Sequence, residues 1–166
     1  MDLLNVRNIQ KIYTTRFGGQ KVEALKNVSF DVQKGEYVAV MGESGSGKTT
    51  LLNILASLDK PTSGEIILNG SNLIKIKDKE ISAFRREHLG FVFQEFNLLD
   101  TFSLQDNIFL PLVLSGKKYK EMEVKLQPIA KDLGIEDILR KYPYEVSGGQ
   151  KQRCAVARAL ITQPDL

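Results

Sequence analysis

The chain has 166 residues, of which 42% are hydrophobic and 26% are charged, and its net charge is +3. This composition is typical of a globular domain with a sizeable core. The charge is too mild to indicate a nucleic-acid groove, and two loose basic runs, Lys75–Lys79 and Lys117–Lys120, are interpreted as solvated faces. No apolar run approaches the roughly 20 residues that cross a bilayer, so no transmembrane helix is predicted.

The N-terminus and the cysteine content bear on the compartment. Met1–Asn5 has neither the basic start nor the apolar core of an export signal. Cys154 is the single cysteine, so the chain cannot form an internal disulfide. Both features fit a reducing compartment, and Cys154 is interpreted as a small core residue.

The first 35 residues predict two antiparallel strands with polar connections. In chain order the predictions are an edge strand over Leu3–Ile12 closed by Tyr13, an exposed loop over Thr14–Glu23 with Gly18 and Gly19 at its tip, a strand over Leu25–Val32, and a turn at Lys34 and Gly35.

The next stretch has the spacing G-x-x-x-x-G-K-T of a phosphate-binding loop. Its residues are Gly42, Glu43, Ser44, Gly45, Ser46, Gly47, Lys48, Thr49 and Thr50. The glycines let the backbone curl around a polyphosphate, so that the N–H groups of the turn point at its oxygens. Lys48 places a cation at the β and γ phosphates, and the Thr49 hydroxyl can hold Mg²⁺.

The flanks of this loop support the interpretation. The apolar run Tyr37–Met41 predicts a buried parallel strand before the loop. After the loop, Leu51, Leu55 and Leu58 share one face of a predicted helix, whose N-terminal dipole favours the same anion.

The middle of the chain predicts further strands and one helix. In order these are a turn at Pro61–Gly64, a strand at Glu65–Leu68, a hairpin turn at Asn69 and Gly70, a helix over Asp78–Glu87 with Ile81, Phe84 and Arg85 inside, and a buried strand at Leu89–Phe93. The last strand brings Gln94 to its C-terminal end, where ligands gather in open α/β sheets.

Strand signals disappear from Glu95 to Val146, which predicts a helical subdomain. Ser103 and Asp106 indicate a helix start, and Met122–Leu133 keeps helical spacing. Pro128 predicts a kink or break near Gln127. Two further predictions in this segment are a C-terminal cap at Gly134 and a short helix over Ile135–Arg140.

Ser147 and Gln150 have the spacing of a capping box, with Gly148 and Gly149 between them. The following helix is predicted to bury Val156, Ala159 and Leu160. By itself the pattern is also that of an ordinary capped helix. Its open N-terminus would suit an anion.

The order of four features in this chain resembles that in the ATP-binding subunits of ABC transporters. These features are Tyr13, the phosphate loop, Gln94 and the run Ser147–Arg153. One difference is Val146, which stands where the family usually has leucine. The resemblance covers essentially the whole chain. The stretch Phe91–Thr101 is most similar to the bacitracin-type antimicrobial-peptide transporters of Gram-positive bacteria, within the wider lipoprotein-release and macrolide-export class.

The resemblance implies an α/β fold: a P-loop NTPase core of the ABC ATPase type with an N-terminal antiparallel β subdomain and an inserted helical subdomain. The nucleotide-binding core would comprise residues 1–94 and 147–166, and the helical subdomain residues 95–146. The subunit would be cytoplasmic and peripheral on the inner face of the cell membrane.

The resemblance also implies roles for single residues. Tyr13 would stack on the adenine of ATP, and the phosphate loop would hold the phosphates. Lys48 and Gln94 would act in catalysis, and Thr49 and Gln94 would complete the Mg²⁺ shell. The signature residues Ser147, Gly148, Gly149 and Gln150 would contact the γ-phosphate of ATP on a second subunit, in a head-to-tail dimer. The helical subdomain would touch a membrane permease, and no nucleic acid is expected.

The sequence departs from the family at its end. In the family, the signature helix leads into a strand ending in Asp-Glu, and a switch histidine follows. Here Asp165 comes before that strand is expected and is not taken as the Mg²⁺ aspartate, and His88 is interpreted as a surface helix residue. We therefore expect a part of a longer protein of about 220–250 residues, which exposes apolar edge and binds ATP with little or no hydrolysis.

Three alternatives stay open. A DNA-handling ATPase would share the loop and the signature, but it usually carries long coiled coils or zinc insertions; heptads are absent and one cysteine cannot make a zinc site. A nucleotide-binding module without hydrolysis is the second alternative. A P-loop kinase or GTPase would leave Ser147–Gln150 without a role.

Overall fold

The computed structural model describes residues 2–14 and 19–166, which form two compact units with a boundary between Ile81 and Ser82. The first unit contains an antiparallel sheet and a helix, the second unit is mainly helical, and the boundary falls within the helix over Asp78–His88. The predicted loop tip at Gly18 lies outside the described residues. The division into a core of residues 1–94 and 147–166 and a helical subdomain of residues 95–146 stays a prediction.

The strands are β1 (Asp2–Thr14), β2 (Lys21–Gln33), β3 (Ser63–Leu68) and β4 (Ser71–Asn72). The helices are α1 (Lys48–Leu55), α2 (Asp78–His88), α3 (Leu104–Leu114), α4 (Tyr119–Leu133) and α5 (Gly148–Leu160). Short 3₁₀ turns lie at Leu73–Lys75, Glu136–Ile138 and Pro143–Glu145. The predicted helix over Ile135–Arg140 is therefore a single shorter 3₁₀ turn.

The four strands form one antiparallel sheet in the order β2-β1-β3-β4. The prediction that β1 is an edge strand is wrong, because it pairs with β2 on one side and with β3 on the other. Its buried side chains are Leu4, Val6 and Ile9. The step from Val6 to Ile9 breaks the period of two because a bulge lies between them, where Asn8 has a φ of 51°.

The predicted hairpin at Asn69 and Gly70 is confirmed. Their φ values of 46° and 79° are both positive, as a two-residue turn between antiparallel strands favours. The strand before it, β3, buries Ile66 and Leu68. It begins at Ser63, earlier than predicted, and runs beside β1.

Two predicted buried strands are wrong. Tyr37–Met41 forms no strand, and the side chains of Tyr37 and Met41 are 93% and 87% exposed. Leu89–Phe93 is also irregular, and Val92 is exposed. A strand needs a neighbour that accepts and donates its backbone hydrogen bonds. Among the described residues, no strand pairs with either segment.

Helix α1 ends at Leu55 and buries Leu51, Ile54 and Leu55. Leu58, predicted to continue that stripe, is 50% exposed because it follows the helix end. Helix α2 matches its prediction to within one residue, and its predicted inner residues are only partly buried.

Helix α4 continues through Pro128, so the chain does not break near Gln127, and the alternative of a kink stays a prediction. Because proline has no backbone N–H, the carbonyl of Val124 loses the hydrogen bond that residue 128 would otherwise donate. Both Val124 and Pro128 lie on the exposed side of the helix. Water can satisfy that carbonyl, while Met122 and Leu126 keep the opposite face buried. Gly134 ends the helix with a φ of 59°, which confirms the predicted cap.

Helices α3, α4 and α5 share the core of the second unit. Its fully or nearly buried members include Leu104, Ile108, Phe109, Leu112, Met122, Leu126, Ala130, Ile135, Ile138, Cys154, Ala157 and Ile161. Cys154 is a core residue, as predicted, and burial raises the pKa of its thiol to about 11.

The predicted buried stripe of α5 is wrong, since Leu160 is 47% exposed and Val156 and Ala159 are only partly buried. The buried side is instead formed by Cys154, Ala157 and Ile161. Residues 154–159 are mostly small and apolar on every side, so helical periodicity does not single out one face. Packing against α3 and α4 selects it.

Candidate functional site

The predicted phosphate loop connects the turn after β2 to α1. Gly45 and Gly47 have φ values of 82° and 90°, a conformation that side chains with a Cβ rarely adopt. Gly47 is the N-cap of α1, and a Cβ there would lie 2.4 Å from the carbonyl oxygen of Ala24. The end of the loop is therefore seated directly on the backbone of β2.

Lys48 curls back over this loop. Its Nζ donates hydrogen bonds to the carbonyl oxygens of Gly42 and Glu43 at 2.8 and 2.7 Å. The Ser46 hydroxyl lies 3.4 Å from the same nitrogen. The first turn of α1 carries no acidic residue, so nothing there offsets the positive end of the helix dipole. The glycine-rich loop, the Lys48 ammonium and the N-terminus of α1 therefore all favour the binding of an anion.

Tyr13 lies near the end of β1 with its side chain 44% exposed. Its hydroxyl donates to Asp59 Oδ2 at 2.9 Å, and Lys11 Nζ donates to Asp59 Oδ1 at 2.7 Å. The same Nζ lies 4.8 Å from the centroid of the Tyr13 ring. Burial opposes ionisation of Asp59, but the hydrogen bonds from Lys11, Tyr13 and the Lys60 N–H outweigh it and lower the pKa of Asp59.

Sequence reasoning missed Lys11 and Asp59. Lys11 is two residues before Tyr13 on one strand, so their side chains share a face, and this spacing could have revealed the pair. Asp59 is 46 residues from Tyr13 and carries no local signal.

Gln94 lies in the second unit, in an exposed turn with Glu95. The prediction that Gln94 lies at the end of a strand is wrong, because the residues directly before it, Leu89–Phe93, form no strand. The two residues after this turn, Phe96 and Asn97, have positive φ values of 59° and 46°. Arg158 of α5 donates to both of their carbonyl oxygens at 2.6 Å. Burial lowers the pKa of Arg158, which stays protonated at neutral pH.

The predicted capping box at the start of α5 is confirmed. The Gln150 N–H donates to Ser147 Oγ at 3.3 Å, and the Ser147 N–H donates to Gln150 Oε1 at 2.9 Å. A Cβ added to Gly148 or Gly149 would meet nothing within 4 Å, so a partner can approach the backbone there. The first turn of α5 has no acidic residue.

The first unit therefore carries Tyr13 and Gly42–Thr50, and the second carries Gln94 and Ser147–Gln150. Among residues outside the predicted site, Asp59 and Lys11 contact Tyr13 in the first unit, and Arg158 contacts the segment after Gln94 in the second. His88, interpreted from sequence as a surface residue, is half-buried and pairs with Asp165, its Nδ1 lying 2.7 Å from the carboxylate.

The residues predicted to hold Mg²⁺ offer oxygen atoms, which this hard cation prefers. Thr49 and Gln94 are both exposed. Among residues 2–14 and 19–166, no group of three or more His, Cys, Asp or Glu could hold a metal ion. Each of these side chains can offer one neutral oxygen atom, so either could hold Mg²⁺ only alongside phosphate oxygens and water.

Comparisons with known proteins identify the family and the fold of this chain. Residues 25–166 match the protein family described as ABC transporter. The chain is 52% identical over 165 residues to the ABC transporter ATP-binding protein YxdL of Bacillus subtilis, covering 99% of this chain and 63% of that relative. It is 49% identical to the bacitracin export ATP-binding protein BceA of Halalkalibacterium halodurans, covering 100% of this chain and 65% of BceA.

A solved structure is similar over nearly the whole chain. The ATP-binding cassette MJ0796, described as a dimer in a post-hydrolysis state bound to ADP and Pi, superposes with a TM-score of 0.86 at 38% identity. The similarity covers 97% of this chain and 70% of that one. The chain thus spans just under two thirds of the length of its first curated relatives. In the part that the structure describes, no helix has both the length and the apolar character to cross a bilayer.

Proposed function

Because this chain belongs to the ABC transporter family, we propose that it is the ATP-binding part of a subunit that couples ATP binding and hydrolysis to a membrane permease. One observation carries the proposal. The Lys48 ammonium is held at 2.8 and 2.7 Å from two carbonyls of a glycine-rich loop at the start of α1. An incoming triphosphate offers that cation stronger acceptors than neutral carbonyls, because its oxygens are charged.

Each predicted residue keeps its role in this proposal. The loop from Gly42 to Thr50 holds the phosphates of ATP, and Tyr13 stacks on the adenine. Lys48 neutralises charge on the β and γ phosphates. Thr49 and Gln94 supply oxygen atoms to Mg²⁺, whose charge would offset that of the phosphates during transfer to water.

The start of α5 provides the second half of the site. We propose that the signature residues at Ser147–Gln150 contact the γ-phosphate of ATP on a second copy of the subunit, head to tail. The open backbone at Gly148 and Gly149 and the uncompensated helix start support this role. That MJ0796 is described as a dimer supports the assembly.

The relatives support a proposal for the transport partner and the substrate class. The name of BceA refers to bacitracin export. We propose that this subunit works with an integral permease at the cytoplasmic face of the membrane and that the permease handles antimicrobial peptides or lipid-linked molecules. Stimulation of ATP hydrolysis in membrane vesicles by such peptides, in the presence of the permease, would test the substrate class.

ATP affinity of three versions of the chain tests the binding role: wild type, Lys48→Ala and Lys75→Ala. Lys48→Ala should weaken ATP binding by at least about tenfold, because it removes a charge-assisted contact to phosphate. Lys75 is exposed in a 3₁₀ turn, so Lys75→Ala, which removes the same charge, should bind like the wild type. Equal affinity for all three would reject the proposal.

A further inference from the structure

We propose that Arg158 is a positioning residue for Gln94, because it fixes the segment that follows Gln94 to the helix that begins after Ser147. The inference rests on the proposed function, in which Gln94 supplies an oxygen atom to Mg²⁺. It adds a residue that lies outside the phosphate loop and outside Ser147–Gln150.

The contacts of Arg158 are specific. Its two terminal nitrogens donate to the carbonyl oxygens of Asn97 and Phe96, both at 2.6 Å. These two successive residues adopt the left-handed backbone region, with φ values of 46° and 59°. That region is unfavourable for residues with a Cβ, and a pair in succession is rarer still. The guanidinium compensates for this cost by bonding both carbonyls with one planar group.

The backbone of Arg158 belongs to α5, a helix that packs into the core of the second unit. The nearby residues Cys154 and Ala157 of α5, and Ile161 just after it, are fully buried in the core shared with α3 and α4. The Arg158 side chain is itself partly buried, and this burial lowers the pKa of its guanidinium. A partly desolvated cation needs its acceptors, so the position of the Phe96–Asn97 carbonyls is tied to that of the helix.

A second buried side chain secures the far end of the same segment. Asn107 is fully buried; its Oδ1 accepts from the Leu99 N–H at 2.7 Å, and its Nδ2 donates to the carbonyl oxygens of Leu99, Phe102 and Ser103. Residues 96–103 are thus held at both ends, and Gln94 protrudes just before them. Arg158 lies eleven residues after Ser147, about 16 Å along α5. One guanidinium therefore links the segment that directly follows Gln94 to α5, the helix that begins at the signature residues.

Amide hydrogen exchange on the full chain without nucleotide tests the link directly. The Phe96 N–H donates to the Phe93 carbonyl at 3.0 Å, and the Asn97 N–H donates to the Glu95 carbonyl at 2.6 Å. In Arg158→Ala, these two amides should exchange faster by about tenfold, the effect expected for losing charged hydrogen bonds. The amide of Lys151, in the first turns of α5, should stay protected.

Two further variants separate positioning from general destabilisation. Arg158→Lys keeps the charge but not the planar pair of donors, so it should give an intermediate exchange rate. Arg140→Ala removes an exposed guanidinium and should change nothing. If Phe96 and Asn97 exchange at wild-type rates in Arg158→Ala, or if all amides of the unit speed up equally, the positioning role is rejected.

ATP affinity with Mg²⁺ and with EDTA connects the loop to the proposed site. Arg158→Ala should weaken binding with Mg²⁺ by about tenfold and leave binding in EDTA unchanged, and Gln94→Ala should do the same. The double variant should be no weaker than either single variant, because both act through one group. Equal losses in Mg²⁺ and EDTA, or losses that add, would contradict the inference. If instead Lys48→Ala binds ATP normally, the proposed function fails, while the exchange result still decides the positioning of the segment.

Discussion

The hydroxyl of Tyr13 donates a hydrogen bond to Asp59 Oδ2 at 2.9 Å and fixes the ring of a half-exposed aromatic residue. Lys11 bonds the other oxygen of the same carboxylate and lies over the Tyr13 ring. The ring is thus oriented before any ligand binds. A planar group that stacks on it would not have to immobilise the side chain first.

Tyr13→Phe and Tyr13→Ala should separate the hydrogen bond from the ring. Tyr13→Phe keeps the stacking surface but frees the ring, so ATP affinity should fall by only about two- to fivefold, while stability falls by about 1 kcal/mol. Tyr13→Ala should lower ATP affinity by roughly tenfold or more, because base stacking on an aromatic side chain contributes about 1–3 kcal/mol. Titrations of both variants with a fluorescent ATP analogue would measure this. Equal affinities for Tyr13→Ala and wild type would exclude the adenine role.

Ionisation of Asp59 should make the free energy of unfolding depend on pH in the acidic range. Its pKa is lowered in the folded state from an ordinary value of 3.8, so its ionised form stabilises the fold at neutral pH. That contribution should decline as the pH falls below about 4 and vanish below the folded-state pKa. Urea unfolding of wild type and Asp59→Asn should therefore differ by about 1 kcal/mol at pH 7, allowing for screening by solvent, and the difference should shrink steadily as the pH falls below about 4. A difference independent of pH would show that ionisation of Asp59 does not matter.

Gly47→Ala should be much more destabilising than Gly116→Ala. Both glycines have positive φ values, 90° and 71°, so both variants strain the backbone by about 1 kcal/mol. Only Gly47 also faces a close contact, because its new Cβ would lie 2.4 Å from the Ala24 carbonyl oxygen. We expect a loss above about 2 kcal/mol for Gly47→Ala in denaturant unfolding. Equal losses would mean that the loop is not seated on β2.

Asn107→Ala should cost about 3 kcal/mol of stability. The amide is fully buried and makes four hydrogen bonds to the backbone between Leu99 and Ser103. Its removal would leave those backbone N–H and carbonyl groups without a hydrogen-bond partner and out of reach of water. Ser103→Ala, which removes only the N-cap of α3, should cost about 1 kcal/mol. Urea unfolding of the two variants would compare them, and a smaller loss for Asn107→Ala than for Ser103→Ala would contradict this account.

Much of the fold follows from short-range signals in the sequence. The hairpin turn at Asn69 and Gly70, the cap at Gly134 and the capping box at Ser147 were all predictable, because the residues that make each feature lie within a few positions of one another. The fold class was also predictable, since the order of its motifs is specific.

The failures share a different physical cause. Tyr37–Met41 has the apolar character of a buried strand, yet a strand forms only where another strand pairs with it. The same holds for Leu89–Phe93. The position of β1 inside the sheet and the buried face of α5 also depend on neighbours distant in sequence. Arg158 escaped notice for this reason: its acceptors at Phe96 and Asn97 lie about 60 residues before it.

The central claim is that ATP phosphates bind the loop at the start of α1, and backbone amide chemical shifts during an ATP titration with Mg²⁺ test it most directly. We predict that the largest shift changes occur between Gly45 and Thr49, and that Lys48→Ala greatly reduces them. Changes that are largest outside the loop, or that persist in Lys48→Ala at the same ATP concentrations, would contradict the account.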